Sequence, residues 1–148
     1  MKYPAIIKIN KYYNKTGSLF AINAQEKNKF PFKIKRIFFV NGKKNSLRGH
    51  HAHRYCSQLI ICLLGKIKII ITDQYNKKYN FLLTAKKNIA LFLPKKHWIE
   101  LIYLDNKNMI SVLCDQKYDK KNDYIEDFNN FIKNFIVPKF NHFFLKKH

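Results

Sequence analysis

The chain has 148 residues, 47% hydrophobic and 16% aromatic, with 29 Lys and Arg against nine Asp and Glu for a formal charge of +20. A chain this long buries roughly two-thirds of its surface on folding, which excludes global disorder and removes any need for disulfides or a structural metal. No apolar run reaches the roughly 18 to 20 residues of a membrane span. Lys8 cuts off Ala5-Ile6-Ile7 before a signal-peptide core forms, so the protein is expected to be soluble and cytoplasmic.

Short apolar runs rich in Ile, Phe and Val, separated by polar punctuation, predict strands. In chain order they are Ala5 to Ile9, Ser18 to Asn23, Phe32 to Val40, Leu47 to Ala52, Gln58 to Leu64, Lys66 to Thr72, Tyr79 to Leu83, Asn88 to Leu93, His97 to Tyr103 and Met109 to Cys114. Ten short strands at this spacing predict an all-β barrel or sandwich. Gly65 marks a tight turn and Asp73 to Lys77 a hairpin loop. From Asp123 the period changes: Tyr124, Phe128, Phe131, Ile132 and Phe135 recur at helical intervals, with acidic residues first and Lys133 last. One amphipathic C-terminal helix packed on the barrel is expected, stopped by Pro138. Residues 1–140 form a single domain, and 141–148 are a basic tail with no assigned function.

The charge invites a nucleic-acid reading, but 26 of the 29 basic residues are Lys, only three are Arg, and they are spread along the chain. A solvated Lys-rich surface that attracts an anionic ligand is the better account, with neither nucleic acid nor membrane as a partner. Cys56, Cys62 and Cys114 form no C-x-x-C pair and read as reduced thiols, with Cys62 and Cys114 in the core.

The densest chemistry lies in Arg48-Gly49-His50-His51-Ala52-His53. On an extended strand His51 and His53 share a face and His50 points the other way, so two imidazoles enter the barrel as proton carriers or metal ligands. Gly49, His51, His53 and Gly65 resemble the first cupin motif, with Gln58 where metal-binding cupins carry Glu. Pro94-Lys95-Lys96-His97-Trp98-Ile99 stands for the second motif, with Ile99 at the ligand histidine. Two imidazoles and an amide form a poor divalent-metal site, so no metal and no cofactor is expected. A neutral imidazole moves protons at neutral pH, which suits a substrate whose hydrogen lies next to a ketone.

A narrower resemblance follows. Phe32-Lys33-Ile34-Lys35-Arg36-Ile37-Phe38-Phe39, Arg48-Gly49-x-His51-Ala52-His53-Arg54, Gln58-Leu59-Ile60, Trp98-x-Glu100 and Asp123-Tyr124-Ile125-x-Asp127-Phe128 resemble the sugar-nucleotide 3,4-ketoisomerases that act on dTDP-4-keto-6-deoxyglucose. The resemblance implies a metal-independent cupin homodimer, and with the helix read from the periodicity the expected fold is an all-β cupin with one C-terminal α-helix. It implies catalysis by His51 and His53, one removing the carbon-three proton and a proton being returned at carbon four, with the two roles left open. Arg36, Phe38, Arg48, Gln58 and Trp98 are implied to bind the dTDP-sugar. The product is expected to be a dTDP-3-keto-6-deoxyhexose, galacto rather than gluco. A PLP-dependent sugar aminotransferase would take it toward a 3-amino-3,6-dideoxyhexose of a polysaccharide or glycan. The chain departs from the family pattern at Thr16, Phe38, Phe39 and Ile99, which bears on product configuration. Two other functions fit less well: an epimerase on the same barrel, and a non-catalytic cupin or basic RNA-binding module.

Overall fold

The computed structural model describes residues 1–23 and 30–136. Six strands come first: β1 (Ala5–Lys8), β2 (Asn10–Asn14), β3 (Gly17–Ala21), β4 (Arg36–Gly42), β5 (Leu47–His53) and β6 (Gln58–Leu64). Five more follow: β7 (Lys66–Thr72), β8 (Lys78–Thr84), β9 (Ile89–Leu93), β10 (Trp98–Tyr103) and β11 (Asn108–Cys114). The chain then forms a short helix α1 (Lys120–Asp123), a two-residue strand β12 (Tyr124–Ile125) and helix α2 (Phe128–Phe135). Two five-stranded antiparallel sheets, ordered β1-β9-β6-β11-β4 and β12-β5-β10-β7-β8, build the all-β cupin barrel, and β2-β3 form a separate hairpin.

Side-chain alternation fills the barrel from both sheets. Ile60, Cys62, Leu91, Ile110 and Val112 on one sheet meet Ile67, Ile69, Ile71, Ile99 and Leu101 on the other. The opposite faces of β6, β9 and β11 are covered as well, because Leu59, Ile61, Phe92 and Leu113 pack beneath Ile7, Ile9, Phe30 and Phe32. Burial on both faces explains why Gln58 to Cys62 reads as a continuous run rather than an alternating one, while Leu63 and Leu64 at its end are exposed. Helix α2 lies on the outer face of the second sheet, where Phe131 packs with Ala52, Trp98 and Ile125. Asp127 caps it by accepting from the Asn130 N–H at 2.8 Å. Among the described residues, no helix is long and apolar enough to cross a membrane.

The expected turns form: Gly65 has φ +80, and Asn76, inside the Asp73 to Lys77 loop, has φ 59. The three thiols are free and buried. Two expectations need correction. Strand β2 was not foreseen, since Asn10–Asn14 is polar; among the described residues it pairs with β3 alone. The C-terminal helix starts at Phe128, not Asp123: Asp123 ends α1, and Tyr124 and Ile125 pair with His53 and Ala52 as β12. The i, i+4 spacing of Tyr124 and Phe128 matches a helix, but backbone pairing to the β5 edge and the hydrogen bonds on Asp123 outweigh that local signal. Pro138 and the tail at 141–148 lie outside the described residues.

Candidate active site

Strand β5 is bent where the chemistry sits. Ile99 on β10 faces His51 and Glu100 faces Gly49, so His50 is the extra residue of a bulge. Gly49 and His50 both adopt positive φ, 84 and 54. A Cβ on Gly49 would lie 2.7 Å from the Ile99 carbonyl oxygen, so only glycine fits the crossing. The bulge leaves His50 exposed and turns His51 and His53 together, with ring centroids 4.9 Å apart at 89°.

The two imidazoles have different partners. His51 Nδ1 lies 3.0 Å from the Gly49 carbonyl oxygen. A carbonyl only accepts, so the ring carries its proton on Nδ1 and leaves the Nε2 lone pair free. Burial first, and His53 second, push the His51 pKa from 6.5 down to about 4, so the ring is neutral at pH 7. His53 is buried behind it, its Nδ1 2.6 Å from Asp123 Oδ2. The other carboxylate oxygen accepts the backbone N–H groups of Tyr55 at 2.8 Å and Cys56 at 3.2 Å. Burial alone would raise the Asp123 pKa; these hydrogen bonds, led by that from His53, outweigh it and hold the carboxyl below its ordinary value. Gln58 Nε2 donates to His53 Nε2 at 3.1 Å, which is consistent with a neutral His53 carrying its proton on the Asp123 side.

A cavity of about 170 Å³ opens beside His51, with Phe38, Arg48, Gln58, Tyr103 and Tyr124 among its lining residues. Ile99 also lines it, whereas Thr16 sits on the β2–β3 turn and does not. Arg36 shares the inward face of β4 with Phe38. Its guanidinium lies 5.1 Å from the Phe38 ring centroid and 5.4 Å from that of Tyr118, and Nη2 donates to Cys114 Sγ at 3.3 Å. A hydrogen bond from Cys56, with Arg36 beside it, holds the Cys114 thiol pKa below its ordinary value, while Cys56 is pushed up. Of the residues the sequence singled out, the cavity therefore gathers Phe38, Arg48, His51 and Gln58, with His53 behind and Arg36 at the Cys114 end.

Trp98 is the correction. It alternates with Ile99 on β10 and so faces away from the cavity, with its ring centroid 5.1 Å from Phe128 and 5.8 Å from Phe131. Asp123, Tyr124 and Tyr103 are the site residues that the sequence left without a role. Asp-Tyr-Ile was visible as a motif, but the helix expected there concealed the dyad.

The four cupin ligand positions hold His51, His53, Gln58 and Ile99, an imidazole pair with an amide and an aliphatic side chain, which is a weak donor set for a divalent ion. His53, Cys56 and Asp123 bring one ligand-type atom each to within 4.8 Å of one another. Those atoms are already engaged, the carboxylate by three hydrogen bonds and the thiol by the Ser57 carbonyl at 3.5 Å.

The family described as FdtA: WxcM-like, C-terminal, matches residues 2–135. The TDP-4-oxo-6-deoxy-alpha-D-glucose-3,4-oxoisomerase of Aneurinibacillus thermoaerophilus is 30% identical over 129 residues, which is 86% of this chain and 89% of that protein. The chain belongs to this 3,4-ketoisomerase family. It is an isomerase by that membership. A crystal structure of a histidine-to-asparagine mutant of the 3,4-ketoisomerase QdtA from Thermoanaerobacterium thermosaccharolyticum, in complex with TDP-4-keto-6-deoxyglucose, matches with a TM-score of 0.80 at 27% identity over 89% of this ketoisomerase and 93% of that chain. The dTDP-4-dehydrorhamnose 3,5-epimerase of Bacillus anthracis matches with a TM-score of 0.74 at 16% identity, covering 81% of this chain and 76% of its own, and shares the fold alone.

Proposed function

We propose that this ketoisomerase converts dTDP-4-keto-6-deoxy-D-glucose to the galacto-configured dTDP-3-keto-6-deoxyhexose by proton transfer through an enediol, without a metal. The observation that carries this is His51 on the cavity wall, neutral at pH 7 and with Nδ1 tied to the Gly49 carbonyl so that Nε2 is the atom left to act as base. In this scheme His51 Nε2 removes the carbon-three proton, made acidic by the adjacent ketone. The enediol passes its oxygen-bound proton from O3 to O4, and a proton returns to carbon four. The net change is a hydrogen moved between carbons, with the carbonyl moved the opposite way. The His53–Asp123 pair stands behind His51, and its carboxylate offsets the charge that His51 gains. Arg48 on the cavity wall supplies cationic charge for the diphosphate.

Proton NMR of the purified enzyme with this substrate in deuterated water tests the scheme. Conversion to a 3-keto sugar with deuterium at carbon four supports it, and a small coupling between the carbon-four and carbon-five protons of product formed in ordinary water marks the galacto form. Exchange confined to the carbon-five proton would instead identify an epimerase. Turnover after exhaustive chelation is expected to persist; loss that a divalent ion restores would overturn the metal-free step. The new carbonyl is the group that a PLP-dependent aminotransferase requires on the way to a 3-amino-3,6-dideoxyhexose. For assembly we propose a homodimer, supported by the outward face of edge strand β4, where Ile37 and Phe39 are 54% and 63% exposed. Light scattering on the eluting protein tests it, and a monomer mass at micromolar concentration would remove it.

A further inference from the structure

Among the described residues, one polar group facing the cavity has no partner. Tyr103 is fully buried, and among the described residues its hydroxyl finds no hydrogen-bond partner. A buried phenol of this kind is costly unless something completes it. The ring is held firmly: it packs against Gly42 so closely that a Cβ there would lie 2.3 Å from ring carbons. Asn45 and Ser46 secure its backbone, with Asn45 N–H donating to the Tyr103 carbonyl at 2.8 Å and Tyr103 N–H to the Ser46 carbonyl at 3.3 Å.

Position along β10 identifies what the hydroxyl can meet. Ile99, Leu101 and Tyr103 all turn inward, with Ile99 opposite His51 and Leu101 opposite Arg48. Each two-residue step advances about 7 Å, so His51, Arg48 and Tyr103 form three successive levels of one cavity wall. Burial raises the Tyr103 pKa, keeping it a donor at neutral pH, and the Arg48 charge is near enough to oppose that shift. Among the described residues the Arg48 side chain makes no hydrogen bond or ion pair, so donor and cation are both left for a ligand.

We propose that the Tyr103 hydroxyl is a ligand-binding donor, giving a hydrogen bond to a diphosphate oxygen held beside Arg48. This rests on the reading of the cavity as a nucleotide-ketosugar site: with the ketosugar at His51, the linked diphosphate falls at the next levels. Tyr103→Phe deletes the hydroxyl and nothing else. Without ligand, the variant is expected to unfold about 2–5 °C higher than wild type, because a desolvated donor is removed and no protein hydrogen bond is lost. Its dissociation constant for dTDP, by calorimetry, is expected to rise about five- to tenfold, with thymidine binding unchanged. Equal dTDP binding by variant and wild type, or a lower unfolding temperature with equal binding, overturns the assignment. Unchanged dTDP affinity with a raised KM for the ketosugar moves the contact to the sugar and overturns the diphosphate assignment. A wild-type protein that fails to bind dTDP at all overturns both this inference and the nucleotide-sugar reading beneath it.

Discussion

Asp123→Asn perturbs the site at the point where charge and tautomer meet. In the wild type, Oδ1 accepts the Tyr55 and Cys56 N–H groups and Oδ2 faces His53 Nδ1 at 2.6 Å. An amide has one oxygen. Placed toward the two backbone donors, it turns its NH2 to His53 Nδ1–H, and two donors then oppose each other. Moving the ring proton to Nε2 relocates the conflict to Gln58, whose amide donates there at 3.1 Å. Either arrangement removes a charge-assisted hydrogen bond worth about 1.5–3 kcal/mol, which lowers the unfolding temperature by about 4–10 °C in a chain of this size. It also removes the negative charge that offsets a protonated His51. The same tautomer error in a Ser-His-Asp triad costs about 10⁴ in rate, and general acid–base contributions run about 10²–10⁴, so kcat should fall by a factor in that range. NMR progress curves give kcat, and near-ultraviolet circular dichroism checks the fold. A variant that unfolds earlier yet turns over at the wild-type rate would refute a catalytic role for the dyad and leave Asp123 as structural glue.

Four other outcomes follow from the geometry. Because His51 is held down to about 4, kcat/KM should stay level as pH falls through 6.5 and drop only near 4; a half-maximum at the ordinary imidazole value would show that His51 is not the base. The same shift makes the unfolded chain the stronger proton binder between 6.5 and about 4, so up to about 3 kcal/mol of stability present above 6.5 is lost across that interval, readable from urea midpoints at several pH values. Gly49→Ala places a Cβ 2.7 Å from the Ile99 carbonyl oxygen at φ +84, and should cost about 2–4 kcal/mol by urea unfolding as well as most of the activity; a neutral effect would mean that the bulge does not position His51. Trp98→Phe should leave the KM unchanged while lowering the unfolding temperature, since the indole packs on α2; a raised KM with unchanged stability would return Trp98 to the binding site.

What the sequence determined by itself was whatever depends on period and on residue chemistry. Strand runs alternate or fill according to how many faces they bury, so β6 and β7 stand where the apolar pattern ends at Gly65. Two histidines at i and i+2 must share a strand face. Tertiary structure decided what depends on groups distant in the chain. Asp123 lies 70 residues from His53, and no local pattern announces their hydrogen bond. A helical interval from Tyr124 to Phe128 cannot reveal that the edge of β5 recruits Tyr124 as a strand partner. The bulge at Gly49 depends on the approach of Ile99, and whether Trp98 or Ile99 faces the cavity depends on which side of β10 the helix covers. Local pattern carries the local free energies; the site was assembled by long-range hydrogen bonds and packing, whose partners only the folded chain brings together.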